Sequence, residues 1–350
     1  MYNNFQGEFG PQQYDPRMRP KGIGLRKDAS YAGVLTLSII ITSFLFSFLL
    51  QLVFTFSGLI KVNSEGAMAY SSTLSYWAFR ILVYVLPFVL SGLVITALFD
   101  KDIKPFSQIA DNGGRSEKLS VSSGVLIILA GVGLCMVSNF ITNIFLSIFE
   151  GAGGSVPDLD KVMGVRPGIY NYIFDVISTA LLPAFLEEMI WRGYTERALL
   201  PYGNGLAVVV SAVLFSLMHG NIVQIPFAFM VGIVLAVITY KTKNVGYAVA
   251  IHFLNNFLSV TIQHLGFGIS DIADRNLFSG GVIMIIMLVG IISLIVLALK
   301  RDPALTNTYN PAYEYNRGTR ARELFSSPGL WIGVIALFVY TIYSSIMLMR

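Results

Sequence analysis

The sequence predicts an all-α, polytopic transmembrane bundle of eight or nine helices. Hydrophobic residues make up 55% of the chain and charged residues only 13%, about half the charged share of a soluble domain. Several apolar runs reach the roughly 20 residues that cross a bilayer as a helix. The basic residues are scattered beside these runs rather than grouped on one soluble face, so nucleic acid is not an expected partner.

Nine apolar segments are predicted to be helices. In chain order they cover residues 31–53, 76–99, 121–149, 170–200, 206–219, 222–240, 247–265, 281–299 and 330–349. The fifth segment is the shortest, which leaves the predicted total at eight or nine. We expect four units: a disordered, Gly-, Pro-, Gln- and Asn-rich tail at 1–29, N-terminal helices at 30–169, a core at 170–265, and C-terminal helices at 266–350 with a polar loop at 300–328.

The basic residues also predict an orientation. If the N-terminus lies in the cytoplasm and the segments alternate, all but six of the 24 lysines and arginines fall on the cytoplasmic side. The six exceptions are Lys61, Arg80, Lys161, Arg166, Arg275 and Arg350. This bias matches the positive-inside rule. We therefore expect a multi-pass protein of the cell membrane with a cytoplasmic tail and a cytoplasmic 300–328 loop.

Two adjacent carboxylates interrupt the fourth apolar segment, in the sequence PAFLEEMIWRGYTER at 183–197. An ionisable side chain at membrane depth costs about 3 kcal/mol on insertion scales, so it normally faces a bundle interior or a wet cavity. Glu188 and Arg192 are four residues apart and can pair along one helical face. Glu187 is turned by about 100° from Glu188, so it lacks that partner. One carboxylate is therefore expected to be held and the other to be free to act.

Two of the three histidines lie in later apolar segments. His219 follows Phe215 by one turn, and His252 precedes Asn256 by four residues on one face, whereas His264 lies near the outer end of its segment. Glu187 and His219 each lie 16 residues from Gly203, in the turn PYGNG, so an antiparallel hairpin would place them at one level. The level of His252 matches if these two helices project about 10–12 Å further into the cytoplasm. We expect the four side chains to meet in the cytoplasmic half.

These residue types allow three chemistries. A carboxylate with an imidazole can deprotonate water, and an imidazole with an amide can stabilise an oxyanion, which together hydrolyse a peptide bond without an acyl-enzyme. Alternatively, Glu187, His219 and His252 are three zinc ligands with a bound water, although Cys135 is the only cysteine and no HExxH motif is present. A third interpretation is a proton relay or ion site in a transporter.

Three motifs resemble one known family. EEMIWR at 187–192 fits EExxxR, FSLMH at 215–219 fits FxxxH, and HFLNN at 252–256 fits HxxxN. Their order is similar to the CAAX-processing type II protease and bacteriocin-processing family (CPBP, or Abi), which are intramembrane glutamic endopeptidases. The resemblance covers about residues 170–265. It implies that Glu187 and His219 activate water and that His252 and Asn256 stabilise the oxyanion.

The resemblance also implies the remaining roles and partners. Glu188, Arg192 and Phe215 match motif positions that we assign to structure, and the implied mechanism uses no metal cofactor. The implied substrate is a peptide or membrane protein, with or without an attached lipid, cleaved near the cytoplasmic face of the bilayer. The short loops and polar tail favour a bacterial source. Two alternatives stay open: a zinc-dependent variant of this protease, and a non-proteolytic immunity or scaffold protein, as in bacteriocin self-immunity.

Overall fold

The computed structural model describes residues 24–62, 68–101, 103–109, 119–154, 167–306 and 316–348. These residues form an all-α bundle with one short antiparallel hairpin. The first half comprises α1 (Leu25–Phe56), β1 (Ile60–Val62), β2 (Met68–Tyr70), α2 (Thr73–Leu98) and α3 (Val121–Gly151). The last half comprises α7 (Asn204–Met218), α8 (Gln224–Thr242), α9 (Val245–Gly266), α10 (Ile272–Lys300), α11 (Pro303–Thr306), α12 (Arg317–Phe325) and α13 (Pro328–Leu348).

The fourth predicted segment is helical but irregular. Within residues 169–202, which we call the motif segment, α4 (Ile169–Asp175), α5 (Leu182–Glu188) and α6 (Arg197–Leu199) alternate with wider π-helical turns at Val176–Leu181 and Met189–Glu196. A 3₁₀ turn at Leu200–Tyr202 ends it. Wider turns of this kind are frequently found at functional sites.

Seven helices of the described ranges are long and apolar enough to cross a membrane: α1, α2, α3, α8, α9, α10 and α13. The predicted all-α polytopic bundle is confirmed. The fifth predicted segment corresponds to α7, whose 15 residues extend only about 22 Å. It is therefore too short to span a bilayer of about 30 Å.

The bundle has two ends, which we name the hairpin end, where β1 and β2 lie, and the N-terminal end, where α1 begins. The motif segment runs from the first to the second. At the hairpin end Trp77 Nε1 donates to Asn171 Oδ1 at 3.2 Å. At the N-terminal end Tyr202 OH donates to Asp28 Oδ2 at 3.0 Å.

The first helix begins at Leu25, within the residues predicted as a tail. The cause is Asp28, which is buried in the first turn yet forms an ion pair with Lys101 and accepts the Tyr202 hydrogen bond. A buried charge that is paired in this way belongs to the packed fold. The predicted 300–328 loop likewise contains α11 and α12. Residues 1–23 and 307–315 lie outside the described residues.

Two helix crossings depend on glycine. On α13, Gly329 and Gly333 face Gly33 of α1, where an added Cβ on Gly33 would lie 2.1 Å from Gly329 O. On α3, an added Cβ at Gly133 would lie 2.5 Å from Gly290 Cα of α10. Small residues let membrane helices approach closely enough for backbone packing. These contacts attach α13 and α10 to the bundle.

We expect Gly133→Ala to destabilise the protein by about 1–3 kcal/mol, because its methyl group would overlap the α10 backbone. Gly280→Ala is the matched control on α10, since a Cβ there has no neighbour within 4 Å in the described part of the chain and alanine favours a helix by up to about 1 kcal/mol. Thermal unfolding in detergent measures both. Equal melting temperatures for the two variants would contradict the close α3–α10 crossing.

Candidate active site

A cavity of about 1040 Å³ lies inside the bundle. Its lining includes all four residues expected to meet, namely Glu187, His219, His252 and Asn256, together with Phe215 and Tyr84. The four come from the motif segment, the end of α7, and α9. The spacing arguments that brought these elements together are therefore consistent with the structure.

Next to the cavity, Glu188 forms contacts that are completely buried. Its side chain and that of Arg192 are both fully buried, and Arg192 Nε lies 3.2 Å from Glu188 Oε2. The predicted i, i+4 pair is thus present as an ion pair, although its geometry is not that of a hydrogen bond. Arg192 Nη2 also donates to Gly232 O at 3.0 Å, and its Cζ lies 4.6 Å from the Phe215 ring centroid. Arg192 therefore ties α7 and α8 to the motif segment.

Glu188 also orients His252. Its Oε1 lies 2.8 Å from His252 Nδ1. This contact fixes the orientation of the ring, with Nδ1 directed at Glu188 and Nε2 directed away from it. The other nitrogen, Nε2, lies 3.9 Å from Glu187 Oε2. The role of Glu188 is thus broader than the pairing with Arg192 that the sequence suggested.

The two carboxylate oxygens of Glu187 have different surroundings. Its Oε1 accepts a hydrogen bond of 2.6 Å from Tyr84 OH. Its Oε2 is buried, has no hydrogen-bond partner among the residues that the structure describes, and lies in the cavity near His252. Sequence reasoning missed Tyr84, because a tyrosine inside a predicted span gives no charge signal. The only signal in the sequence for Tyr84 is a polar hydroxyl group in the middle of an apolar segment.

His219 lies immediately after the last residue of α7. Its Nδ1 is 3.0 Å from Phe215 O, and because a carbonyl can only accept, Nδ1 carries the proton and a neutral ring presents Nε2 as an acceptor. Phe215 packs edge-on against both imidazoles, with centroid distances of 5.0 Å to His219 and 6.0 Å to His252. The imidazole within 4 Å of Glu187 belongs to His252 and not to His219, which the resemblance had paired with it.

Asn256 is fixed by two neighbours. Its Nδ2 donates to Thr179 O at 3.1 Å, the carbonyl that Pro183, lacking an N–H, cannot bond four residues later. Its Oδ1 accepts from Asn255 Nδ2 at 3.0 Å. Asn255 is itself buried. The sequence analysis assigned it no role, because Asn255 is turned by about 100° from the helical face shared by His252 and Asn256.

The third histidine lies outside this group. His264 Nε2 is 3.0 Å from Asp175 Oδ2, and Arg80 Nη1 is 3.8 Å from Asp175 Oδ1. This cluster lies at the hairpin end, as expected for a residue near the outer end of its helix.

The zinc alternative concerns Glu187, His219 and His252, which line the same cavity. Within the described ranges, no group of three or more His, Cys, Asp or Glu side chains is arranged to hold a metal ion. The contacts of His252 Nδ1 with Glu188 and of His219 Nδ1 with a backbone carbonyl leave Nε2 as the available nitrogen of each ring, with or without a metal. The metal-free mechanism stays a prediction.

The cavity extends from the four side chains toward the hairpin end. The sequence argument placed the side chains themselves in the cytoplasmic half, and that placement stays a prediction because it depends on the predicted orientation. Counting residues from turns gave the relative levels of the side chains, but which half stays open depends on packing.

Comparison with known proteins finds a similarity in the same part of the chain. Residues 169–258 match a family model described as Rce1-like, type II CAAX prenyl endopeptidase. A stretch of 144 residues is 26% identical to the membrane-embedded CAAX protease MroQ of Staphylococcus aureus (strain USA300) and covers 39% of this chain and 57% of that protein. No solved structure matches the chain. The predicted resemblance is thus confirmed for residues 169–258, which are similar to Rce1-like membrane proteases.

Proposed function

We propose that the protein is a membrane-embedded endopeptidase in which Glu187 activates water to hydrolyse a peptide bond. The observation that carries the proposal is the unpartnered Glu187 Oε2 inside the cavity, 3.9 Å from His252 Nε2. A buried carboxylate oxygen without a partner is costly. A water between Glu187 and His252 would satisfy it and would be the nucleophile.

In this mechanism Glu187 is the general base. Tyr84 holds Oε1, so the carboxylate presents Oε2 to the water in a fixed direction. Glu187 takes one proton as the water oxygen bonds to the carbonyl carbon of the substrate. His219 contributes Nε2, which is free to accept a hydrogen bond from the same water. The proton then passes to the leaving amine as the C–N bond breaks, giving a carboxylate and an amine.

The oxyanion of the tetrahedral intermediate needs donors. Asn256 Nδ2 has two hydrogens, of which Thr179 O takes one, so the second is available. When the His252 ring is protonated, Nε2–H is the other donor, because Nδ1 is directed at Glu188. Donors fixed in advance at such a position typically contribute about 3–4 kcal/mol each to lowering the barrier.

The partners follow from the reaction. The substrate is a peptide or membrane protein, and the relative's description as a CAAX protease makes both lipidated and unmodified peptides worth testing. We also propose a bacterial cell membrane as the location, with the N-terminus in the cytoplasm, on the distribution of lysine and arginine.

Glu187→Gln should abolish hydrolysis while leaving the melting temperature nearly unchanged, because glutamine keeps the size of the side chain and can still accept from Tyr84. The assay uses proteoliposomes and a library of fluorogenic peptides, unmodified and farnesylated. Full turnover by a folded Glu187→Gln protein would refute the general-base role. A wild-type protein that cleaves no peptide while Glu187→Gln keeps its cellular function would favour the immunity or scaffold alternative.

Tyr84→Phe should lower kcat about tenfold or more with little change in KM, since a hydrogen bond to a charged group contributes about 1.5–3 kcal/mol. Tyr202→Phe is the matched control, because it removes a buried tyrosine–carboxylate hydrogen bond to Asp28 far from the cavity. We expect the control to lose stability but keep its kcat. A parallel loss of kcat in both variants would mean that Tyr84 acts through general packing.

A further inference from the structure

The cavity lies mainly in the half of the bundle that is nearer the hairpin end. On α1 its lining begins at Ile40, the middle of the helix, and continues to Ser47 toward the hairpin end. On α3 it runs from Met136 to Leu146, again from the middle outward. On α10, which enters from the hairpin end, only Ser279 and Ile283 in its first half line the cavity.

The other half of the bundle is filled. Large side chains toward the N-terminal end are fully buried, among them Tyr31, Leu35, Leu199 and Tyr202. The Asp28 contacts with Lys101 and Tyr202 close the end itself. Trp191 and Phe215 form the floor of the cavity, since they are buried and also line it.

Toward the hairpin end the cavity reaches the surface. Arg80, whose side chain is 42% exposed, and Phe44, at 52%, both line it. Asn143 and Ser259 are lining residues that are also exposed. Many other residues of the outer lining are polar, among them Ser43, Ser47, Tyr70, Tyr76, Asn139, Thr142, Gln263 and Ser279. Such a wall favours water and a polar segment over a lipid chain.

We propose that the cavity opens to the non-cytoplasmic side of the membrane and receives a polar peptide segment presented there. The orientation follows from the lysines and arginines, which concentrate at the N-terminal end. The opening follows from the filled N-terminal end and the exposed lining residues toward the hairpin end. The identification of the bound peptide as a substrate rests on the proposed hydrolysis at Glu187.

The depth of the site sets a requirement on the substrate. Tyr84, which holds Glu187, lies 11 residues into α2, about 16 Å from the hairpin end of that helix at 1.5 Å per residue. An extended chain covers about 3.3–3.6 Å per residue. About five residues of the substrate must therefore enter the cavity unfolded before a peptide bond reaches Glu187.

Single-cysteine labelling tests the opening. The native Cys135 is buried, so the wild-type chain gives the background. Ser259→Cys lines the cavity, Ser57→Cys is exposed at the hairpin end outside it, and Ser326→Cys is exposed at the N-terminal end. Intact cells are treated with a membrane-impermeant maleimide, with and without permeabilisation, and melting temperatures verify that each variant folds.

We expect Ser57→Cys and Ser259→Cys to be labelled fully in intact cells and Ser326→Cys only after permeabilisation. Labelling of Ser326→Cys in intact cells, with the other two protected, would overturn the orientation. Labelling of Ser57→Cys without Ser259→Cys under either condition would overturn the aqueous opening. None of these results depends on hydrolysis, so failure of the protease assignment would be seen separately with Glu187→Gln.

Discussion

The buried carboxylate of Glu188 is the contact on which the site depends. One oxygen faces the Arg192 guanidinium and the other faces His252 Nδ1. Through Arg192 it is connected to Gly232 O on α8 and to the Phe215 ring on α7, and through His252 to α9. A lone charge in this place would be prohibitively costly, whereas a charge with several partners is tolerated. The four elements around the cavity are therefore held in one arrangement by a single fully buried side chain.

This arrangement gives the neighbouring carboxylate a different environment. Glu187 is anchored by Tyr84 through Oε1 and leaves Oε2 in the cavity. The irregular turns of the motif segment contribute, because Pro183 cannot bond Thr179 O and Asn256 does so instead. Two adjacent glutamates thus have separate tasks: one fixes the packing of the helices, and the other is open to a reactant.

Much of this could be predicted from local spacing. The i, i+4 relation of Glu188 and Arg192, the turn at Gly203 and the HxxxN spacing are short-range features, and each appears in the structure. Tyr84 and Asn255 could not be identified in the same way. The Tyr84–Glu187 contact joins positions 103 residues apart, and neither residue carries a charge that marks it in an apolar run.

The sequence also did not show which half of the bundle contains the cavity. Hydropathy shows that a segment crosses the membrane, but it does not show which half of it faces a filled core. Here aromatic and aliphatic side chains fill the N-terminal end, and a polar wall surrounds the cavity at the other end. Even the length of α1 depended on a tertiary contact, since Asp28 is stable inside the fold only beside Lys101 and Tyr202.

The most direct test of the account is a double-mutant cycle on the free energy of unfolding of Glu188→Gln, Arg192→Met and the double variant. Each single change leaves a buried partner uncompensated and should cost about 3–5 kcal/mol. The double variant removes both partners, so the account predicts a loss well below the sum, with a coupling of about 1–3 kcal/mol. Two losses that add within about 0.5 kcal/mol would contradict the claim that this ion pair organises the site.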